Sequence, residues 1–254
     1  MNLTQDTIQT IVNADNICVL TGAGVSAESG VATFRGKDGL WSKFKPEELA
    51  NVNAFLANPT LIWEWYQHRR DLLSAARPNP GHVALAEWET LATRFTLVTQ
   101  NVDGLHQAAG SKHVLELHGN IRMNRCQDCG AESTMNEITF HGHVPLCSCG
   151  GKLRPGVVWF GEMLPEAVFQ DAVHAAQTCD LLLTVGTSAI VYPAAALPEM
   201  AVSRRIPVIE VNVAETPFTP LATHHLRGLA GQILPELVTA YSRLRTKKSD
   251  QKEL

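Results

Sequence analysis

Short apolar runs alternate along the chain with longer stretches in which apolar residues recur at helical intervals. Four runs have the length of a buried strand, and a glycine or a polar turn follows each of them: Ile17–Leu20, Phe95–Val98, Leu181–Val185 and Val208–Val211. Helical spacing covers three stretches between them: Gly81–Leu91, Pro165–Thr178 and Pro193–Ser203. Wholly apolar strands that alternate with helices are typical of a parallel sheet covered on both faces. The pattern predicts an α/β fold with a doubly wound, Rossmann-like sheet.

Two segments interrupt this alternation and predict a smaller zinc-binding and helical lobe. A Trp-rich, mostly helical insertion covers 37–77, and a cysteine-containing module covers 122–155. The Rossmann-like domain is then assembled from 1–36, 78–121 and 156–242. The segment 243–254, rich in Lys, Ser and acidic residues, is expected to be a flexible tail. Because such sheets bind ligands at the carboxyl ends of their strands, we expect the functional cleft between the lobes.

The second insertion contains four of the six cysteines: Cys126, Cys129, Cys147 and Cys149. Their order is C-x-x-C, seventeen residues, and C-x-C, which fits one tetrahedral zinc site. Four thiolates leave no open coordination position, so we predict one structural Zn²⁺ and chemistry elsewhere in the chain. A disulfide pair or unrelated buried thiols are the alternatives.

Composition limits the class of protein. The 254 residues, of which 45% are hydrophobic, suffice for one large core and a smaller one. The net charge of −4 argues against strong nonspecific binding to nucleic acid. No apolar run reaches the roughly 18 residues of a membrane span, and the first residues resemble no presequence. We expect a cytoplasmic protein with no membrane partner and no specific nucleic-acid partner.

A glycine-containing turn follows the first predicted strand. Gly22-Ala23-Gly24-Val25-Ser26-Ala27 has the pattern G-x-G-x-x-A, in which Gly22 permits the tight turn and Gly24 lets the backbone approach a pyrophosphate. A plain tight turn is the alternative, and the acidic residue expected about 20 residues later is missing. Phe34 and Arg35 follow on a loop that we expect to close over the far end of a dinucleotide.

Polar residues also follow the second predicted strand. Asn101 and Asp103 combine an amide and a carboxylate that suit a carboxamide, a ribose hydroxyl or a water molecule. A polar turn that caps a helix is the alternative. His118 stands beside Gly119 and is a candidate for proton transfer near neutral pH, although each of the ten histidines could by itself be a surface residue.

Taken together, these residues resemble the sirtuins, the NAD-dependent protein lysine deacylases, from about 16 to 238. The resemblance rests on six segments: Gly22–Arg35, Thr99–Asp103, His118-Gly119, Val157–Glu162, Gly186–Ser188 and Glu210–Asn212. Ala32 and Thr33 stand where the family usually has Pro and Asp. The second cysteine pair is C-x-C where C-x-x-C is common.

The resemblance implies a reaction and a set of site residues. An acyl group moves from lysine to the ribose of NAD, which gives nicotinamide and O-acyl-ADP-ribose, and the acylated-lysine substrate is a protein or a peptide. The implied catalytic residues are His118 as general base, Asn101 and Asp103. The implied NAD ligands are Gly22, Ala23, Gly24, Phe34, Arg35, Gln100, Asn101, Val102, Asp103, Gly186, Thr187, Ser188, Asn212, Val213 and Ala230. Val158, Phe160 and Gly161 are implied to contact the acyl-lysine substrate.

Tyr66 and Arg69 share one helix face because they are three residues apart. A phenol and a guanidinium that converge can bind a carboxylate, and this Y-x-x-R pair resembles the one in sirtuins that remove succinyl, malonyl or glutaryl groups. We therefore expect removal of acetyl and of succinyl or malonyl groups. An aromatic helix with a solvated Arg69 is the alternative. Other functions left open are ADP-ribosyl transfer to protein, a zinc-ribbon binding module that senses NAD, and hydride transfer.

Overall fold

A six-stranded parallel sheet is the frame of the larger lobe. The computed structural model describes residues 3–33 and 45–250. The strands of this sheet are β1 (Asn16–Thr21), β2 (Arg94–Thr99), β3 (Val114–Glu116), β7 (Leu181–Val185), β8 (Val208–Asn212) and β9 (His224–Arg227). Their spatial order is β3-β2-β1-β7-β8-β9, and every neighbouring pair is parallel. This is the strand order of a Rossmann-like sheet. Successive strands are added on one side of β1 up to β3 and then, from β7 onward, on its other side.

Helices cover both faces of this sheet. One face packs against α1 (Gln5–Val12), α5 (Pro80–Leu91) and α9 (Ala230–Asp250). The other packs against α7 (Glu166–Thr178) and α8 (Ala196–Ser203), while the short α6 (Leu105–Ala109) follows β2. Each face has its own cluster of buried apolar side chains. Among the helices of the described ranges, none has the length and apolar content needed to cross a bilayer.

The smaller lobe combines three helices with a three-stranded sheet. Its helices are α2 (Pro46–Leu49), α3 (Val52–Ala57) and α4 (Pro59–Ala75). Its antiparallel sheet has the order β5-β4-β6, formed by β4 (Gly119–Cys126), β5 (Glu132–Thr134) and β6 (Leu153–Val157). Phe55, Trp63 and Trp159 are buried in its core. The predicted fold class, a Rossmann-like sheet with a smaller lobe, is confirmed.

Hydrogen bonds fix the longest helix of the smaller lobe against its sheet. The side chain of Asn58 caps the first turn of α4. The Trp63 Nε1–H donates to the carbonyl oxygen of Leu153 in β6 at 2.7 Å. The Arg70 Nε–H donates to the carbonyl oxygen of Ile121 in β4, also at 2.7 Å. Helix α4 is therefore attached to both strands.

The sequence predicted most of these elements but not all of them. Each of the four apolar runs lies inside a strand, and each predicted helical stretch overlaps a helix. Strands β3 and β9 were not predicted because β3 is short and half-buried, and β9 begins with His224 and His225. Strands β4 and β6 extend beyond the predicted module 122–155 at its two ends.

Helix α9 continues further than the sequence predicts. The segment 243–254 was expected to be a flexible tail, but the helix runs through Asp250. From Arg243 onward it contains no glycine or proline, the residues that most disfavour a helix interior. Leu244 packs against the core of the larger lobe, and Arg245 forms an ion pair with Asp15. The segment 243–250 is therefore helical, its flexibility stays a prediction, and 251–254 lie outside the described residues.

Candidate active site

The loops that leave β1 and β7 meet where the strand order reverses. The Gly22 N–H donates to the carbonyl oxygen of Val185 at 3.0 Å, and the Gly24 N–H donates to that of Gly186 at 2.8 Å. A Cβ atom on Gly24 would lie 2.7 Å from the Cα of Gly186, and Gly186 has a positive φ of 60°. Side chains at these positions would force the two loops apart. The glycines thus form a closely packed cradle at the point where such sheets bind nucleotides.

A cavity of about 490 Å³ opens above this cradle, and both lobes line it. The residues from the predicted site that line it are Gly22, Ala23, Gly24, Tyr66, Arg69, Val102, His118, Val158, Phe160, Gly186, Thr187, Ser188, Asn212 and Val213. The predicted NAD ligands and the predicted acyl-lysine contacts therefore face one common space.

Several other predicted site residues do not line this cavity: Gln100, Asn101, Asp103, Gly161 and Ala230. Phe34 and Arg35 lie outside the described residues. Gln100 lies beside the cavity, where its Nε2 donates to Thr187 Oγ1 at 3.0 Å. Ala230 begins α9. The contacts of these residues with NAD or substrate stay predictions.

Asn101 and Asp103 lie in a buried polar layer behind the glycine turn. The Asn101 Nδ2 donates to the carbonyl oxygen of Gly22 at 3.1 Å and to Ser26 Oγ at 3.2 Å. Asp103 Oδ2 accepts from Ser26 Oγ at 2.8 Å, and its Oδ1 accepts from the Leu105 N–H at 2.9 Å. Both side chains are 5% exposed. In this arrangement they fix the turn that carries Gly22 and Gly24.

One ring nitrogen of His118 is hydrogen-bonded to the backbone. Its Nδ1 lies 3.0 Å from the carbonyl oxygen of Gln100. A carbonyl can only accept, so Nδ1 must carry the hydrogen of the neutral ring, and Nε2 keeps a lone pair. Burial lowers the pKa of His118, although the bond to Gln100 opposes this shift. The neutral imidazole is therefore favoured near neutral pH, and its Nε2 can accept a proton.

The Tyr66–Arg69 pair lies at the small-lobe side of the cavity. Tyr66 is 5% exposed and Arg69 is 9% exposed, and both line the cavity. Burial raises the pKa of Tyr66 to about 12, so its hydroxyl stays neutral. The guanidinium of Arg69 lies 5.0 Å from the centre of the Trp65 ring, which also lines the cavity. That the phenol and the guanidinium converge on one point stays a prediction.

Sequence reasoning missed the segment after β8. Ala214, Glu215, Thr216 and Pro217 line the cavity, and they follow β8 just as Gly186–Ser188 follow β7. The rule that ligands lie at strand ends could have found them. Thr33 and Val157 also line the cavity and lie in segments that carry the family resemblance, whereas four further lining residues have no clear sequence signal: Ala50, Trp65, Ile190 and Val191.

Glu210 anchors the segment after β8 by hydrogen bonds. It is 1% exposed, and its two carboxylate oxygens accept hydrogen bonds from the hydroxyls of Thr216 and Thr219. The resemblance includes Glu210 in the segment next to the adenosine ribose, but Glu210 does not line the cavity. Asn212 does line it, and its Nδ2 donates to the carbonyl oxygen of Thr187 at 2.8 Å.

The four cysteines of the smaller lobe form one cluster. The sulfurs of Cys126, Cys129, Cys147 and Cys149 all lie within 4.8 Å of one another. Cys126 Sγ is 3.6 Å from Cys149 Sγ, and Cys129 Sγ is 3.7 Å from Cys147 Sγ. Zn–S bonds of about 2.3 Å in a tetrahedron place sulfurs about 3.8 Å apart. The cluster fits a structural zinc site, and none of its residues lines the cavity.

The sheet order and the glycine cradle define a Rossmann-like nucleotide-binding protein, and the cysteine cluster adds a candidate zinc site outside its cavity. A model of the Sir2 family matches residues 22–193. The chain belongs to this family, the sirtuins, as the sequence motifs predicted.

Relatives match the chain over nearly its full length. NAD-dependent protein deacylase 2 of Pyrobaculum aerophilum is 48% identical over 245 residues, which are 94% of this chain and 96% of the relative. The NAD-dependent protein deacylase of Aquifex aeolicus is 52% identical over 233 residues, which are 91% of this chain and 96% of the relative.

Solved structures of Sir2 proteins share the fold. A mutant Sir2 homologue in complex with ADP-ribose is 45% identical, with a TM-score of 0.93 and coverage of 96% of this chain and 98% of that one. A Sir2 homologue in complex with NAD is also 45% identical, with a TM-score of 0.91 and 96% coverage of both chains. A complex of Sir2 with a p53 peptide and NAD⁺ is 31% identical, with a TM-score of 0.84 and coverage of 94% and 98%.

Proposed function

We propose that this chain is an NAD-dependent protein lysine deacylase that removes acetyl groups and also succinyl or malonyl groups. The observation that carries this proposal is the single cavity that the glycine cradle, His118 and the Tyr66–Arg69 pair all line. Relatives named as NAD-dependent protein deacylases support the reaction class.

The cradle fits the pyrophosphate of NAD because its glycines let the two loops pack closely together and also line the cavity, where backbone groups can face the phosphates. Complexes of similar Sir2 proteins with NAD and ADP-ribose support this assignment. We assign Gly22–Gly24, Gly186–Ser188, Asn212 and Val213 to NAD. NAD supplies the ADP-ribose that accepts the acyl group, and nicotinamide is the leaving group. We further assign Phe34, Arg35, Gln100, Val102 and Ala230 to this cosubstrate.

The acyl-lysine chain enters along the segment that follows β6. Val158 and Phe160 line the cavity, and Phe160 is 45% exposed. An apolar wall suits a lysine side chain whose charge the acyl group has removed. The p53 peptide complex of a similar Sir2 protein supports a peptide or protein substrate. Gly161, next in sequence to Phe160, completes the proposed contact segment.

In the proposed reaction His118 Nε2 takes a proton from a ribose hydroxyl. The Gln100 carbonyl holds the ring so that Nε2 keeps its lone pair. Asn101 and Asp103 hydrogen-bond to Ser26, and Asn101 also bonds to the glycine turn. We propose that both residues also hold nicotinamide and a water molecule. Exclusion of water by the bound substrates would limit side reactions of the activated sugar with water.

The pH dependence of the reaction tests the role of His118. The base must be neutral, so kcat/KM falls as the pH drops through the pKa of His118. Because burial lowers that pKa, the acidic limb is expected to have its midpoint below the ordinary value of 6.5. The measurement is a pH profile of kcat/KM with an acetyl-lysine peptide. A midpoint well above 6.5 would assign the limb to another group.

The proposal of dicarboxylic acyl substrates rests on the guanidinium of Arg69, although Glu215 also lines the cavity. Among the described residues that line it, Arg69 is the only arginine or lysine. It lies one helical turn from Tyr66, whose hydroxyl stays neutral. A carboxylate can accept hydrogen bonds from both groups at once. An acetyl group offers no such acceptor at its end, so this pair favours succinyl and malonyl groups.

The variants Arg69→Met and Tyr66→Phe test this selectivity. Loss of a hydrogen bond to a charged group costs about 1.5–3 kcal/mol, so kcat/KM for a succinyl-lysine peptide is expected to fall roughly 10- to 150-fold relative to that for the matched acetyl peptide. Product masses report O-acyl-ADP-ribose for both substrates.

A matched control for Arg69→Met is Arg77→Met, because Arg77 is exposed just beyond α4 and donates to the nearby carbonyls of Ser74 and Ala76. Its succinyl-to-acetyl ratio is expected to stay at the wild-type value. Equal loss of both activities in the Tyr66 and Arg69 variants would make the pair structural. Absence of any O-acyl-ADP-ribose from the wild-type protein would refute the deacylase proposal.

A further inference from the structure

The indole of Trp159, which does not line the cavity, forms a hydrogen bond with the hydroxyl of Tyr66, which does. The Trp159 Nε1–H donates to Tyr66 Oη at 2.8 Å, although the two residues are 93 positions apart in sequence. Trp159 is 2% exposed, and it does not line the cavity, whereas its neighbours Val158 and Phe160 do.

A buried ion pair fixes the position of Trp159. Arg154 is fully buried, and its guanidinium donates to both carboxylate oxygens of Glu162, at 2.6 and 2.8 Å. The same carboxylate accepts from the Trp159 backbone N–H at 2.8 Å. The Arg154 guanidinium carbon lies 3.4 Å from the centre of the Trp159 ring. The indole is therefore held by its backbone and by one ring face, and its N–H has a fixed direction.

This fixed donor determines how the Tyr66 hydroxyl can be used. An indole N–H can only donate, so Tyr66 Oη must be the acceptor in their bond. Within 3–33 and 45–250, the Tyr66 hydroxyl donates no hydrogen bond. Its hydrogen must point away from the indole N–H, and Tyr66, unlike Trp159, lines the cavity. The hydroxyl is thereby left as a donor toward the acyl group.

Arg69 is also a donor only, because a guanidinium has no acceptor atom. The two polar groups at this side of the cavity then present hydrogen-bond donors alone. We infer that Trp159 is a specificity-determining positioning residue, which orients the Tyr66 hydroxyl as a donor and so selects acyl groups that end in a carboxylate. This inference rests on the proposed deacylase function and deepens it.

The test is a double-mutant cycle with Trp159→Phe and Tyr66→Phe, measured with succinyl-lysine and acetyl-lysine peptides and NAD. Trp159→Phe removes the indole N–H but keeps an aromatic ring under Arg154. The ratio of kcat/KM for succinyl over acetyl is expected to fall about tenfold, mainly through KM for the succinyl peptide. In the Tyr66→Phe background the same change is expected to have no further effect on this ratio, because the hydroxyl is gone.

Trp88→Phe is the matched control, since Trp88 is equally buried but lies in the core of the larger lobe. Its succinyl-to-acetyl ratio is expected to equal that of the wild type. If Trp159→Phe fails to fold, replacement of Trp159 by 3-benzothienylalanine substitutes sulfur for the N–H at nearly the same volume and gives the same comparison.

The outcomes separate this inference from the function on which it rests. If Trp159→Phe lowers both activities equally, or lowers the ratio further in the Tyr66→Phe background, Trp159 is structural and the inference is wrong. If Tyr66→Phe and Arg69→Met lower the ratio but Trp159→Phe does not, only the role of Trp159 is refuted. If the wild-type protein removes no succinyl group, the proposed acyl specificity fails and this inference with it.

Discussion

Replacement of His118 by asparagine is expected to lower deacylation kcat by roughly 100- to 10,000-fold, the contribution of a positioned general base. The amide of asparagine can still donate to the Gln100 carbonyl, which His118 Nδ1 contacts in the wild-type protein. What the variant lacks is the basic Nε2. The loss is therefore expected in kcat, while the melting temperature stays close to the wild-type value.

A partial reaction distinguishes this role from a general disturbance of the site. Departure of nicotinamide does not need the base in the proposed sequence of steps, so exchange of labelled nicotinamide into NAD is expected to survive in His118→Asn. His113→Asn is the matched control, because the His113 side chain is exposed, and its hydrogen bonds are made by its backbone, to the Glu89 carboxylate and the Leu97 N–H. Full deacylation by the His118 variant would refute the proposed mechanism.

The central strands were predictable because both of their faces are buried. Strands β1 and β7 are almost entirely buried and read as continuous apolar runs. Strands at the edges carry no such signal: β3 is only three residues long, and β9 has two histidines. The same reasoning applies to the end of α9, whose polar composition predicted a tail although Leu244 packs against the core.

The candidate site was predictable where it follows from chain order, and not where it depends on distant contacts. The turn after β1 and the loop after β7 follow apolar strands, so their meeting at one edge could be expected. The hydrogen bond between Asp103 and Ser26 and the one between Trp159 and Tyr66 each join residues that are far apart in sequence. No local pattern indicates such partners, because they depend on how the two lobes fold around the cavity.

Cys147→Ala is expected to have the largest effect on stability. Structural zinc contributes of the order of 10 kcal/mol in small zinc domains, so loss of one ligand is expected to lower the melting temperature by roughly 10 °C or more. Zinc content measured by atomic absorption is expected to fall from one ion per chain toward zero. A strong chelator applied to the wild-type protein is expected to give the same result. Cys179→Ala is the matched control, because Cys179 is buried in the larger lobe and outside the cluster.

Activity is expected to fall with the zinc, although no cysteine of the cluster lines the cavity. Strands β4 and β6 are antiparallel, and Cys126 pairs with Leu153 at one end of them. At the other end Gly119 pairs with Val157, and the Val158 N–H donates to the His118 carbonyl oxygen at 2.8 Å. The cysteine cluster thus lies at one end of the β4–β6 strand pair, and the proposed base and the acyl-lysine segment lie at the other end. Loss of zinc is expected to disturb the pair along its length. Full deacylase activity in a zinc-free protein would contradict this coupling, and it would restrict the cysteine cluster to local stability.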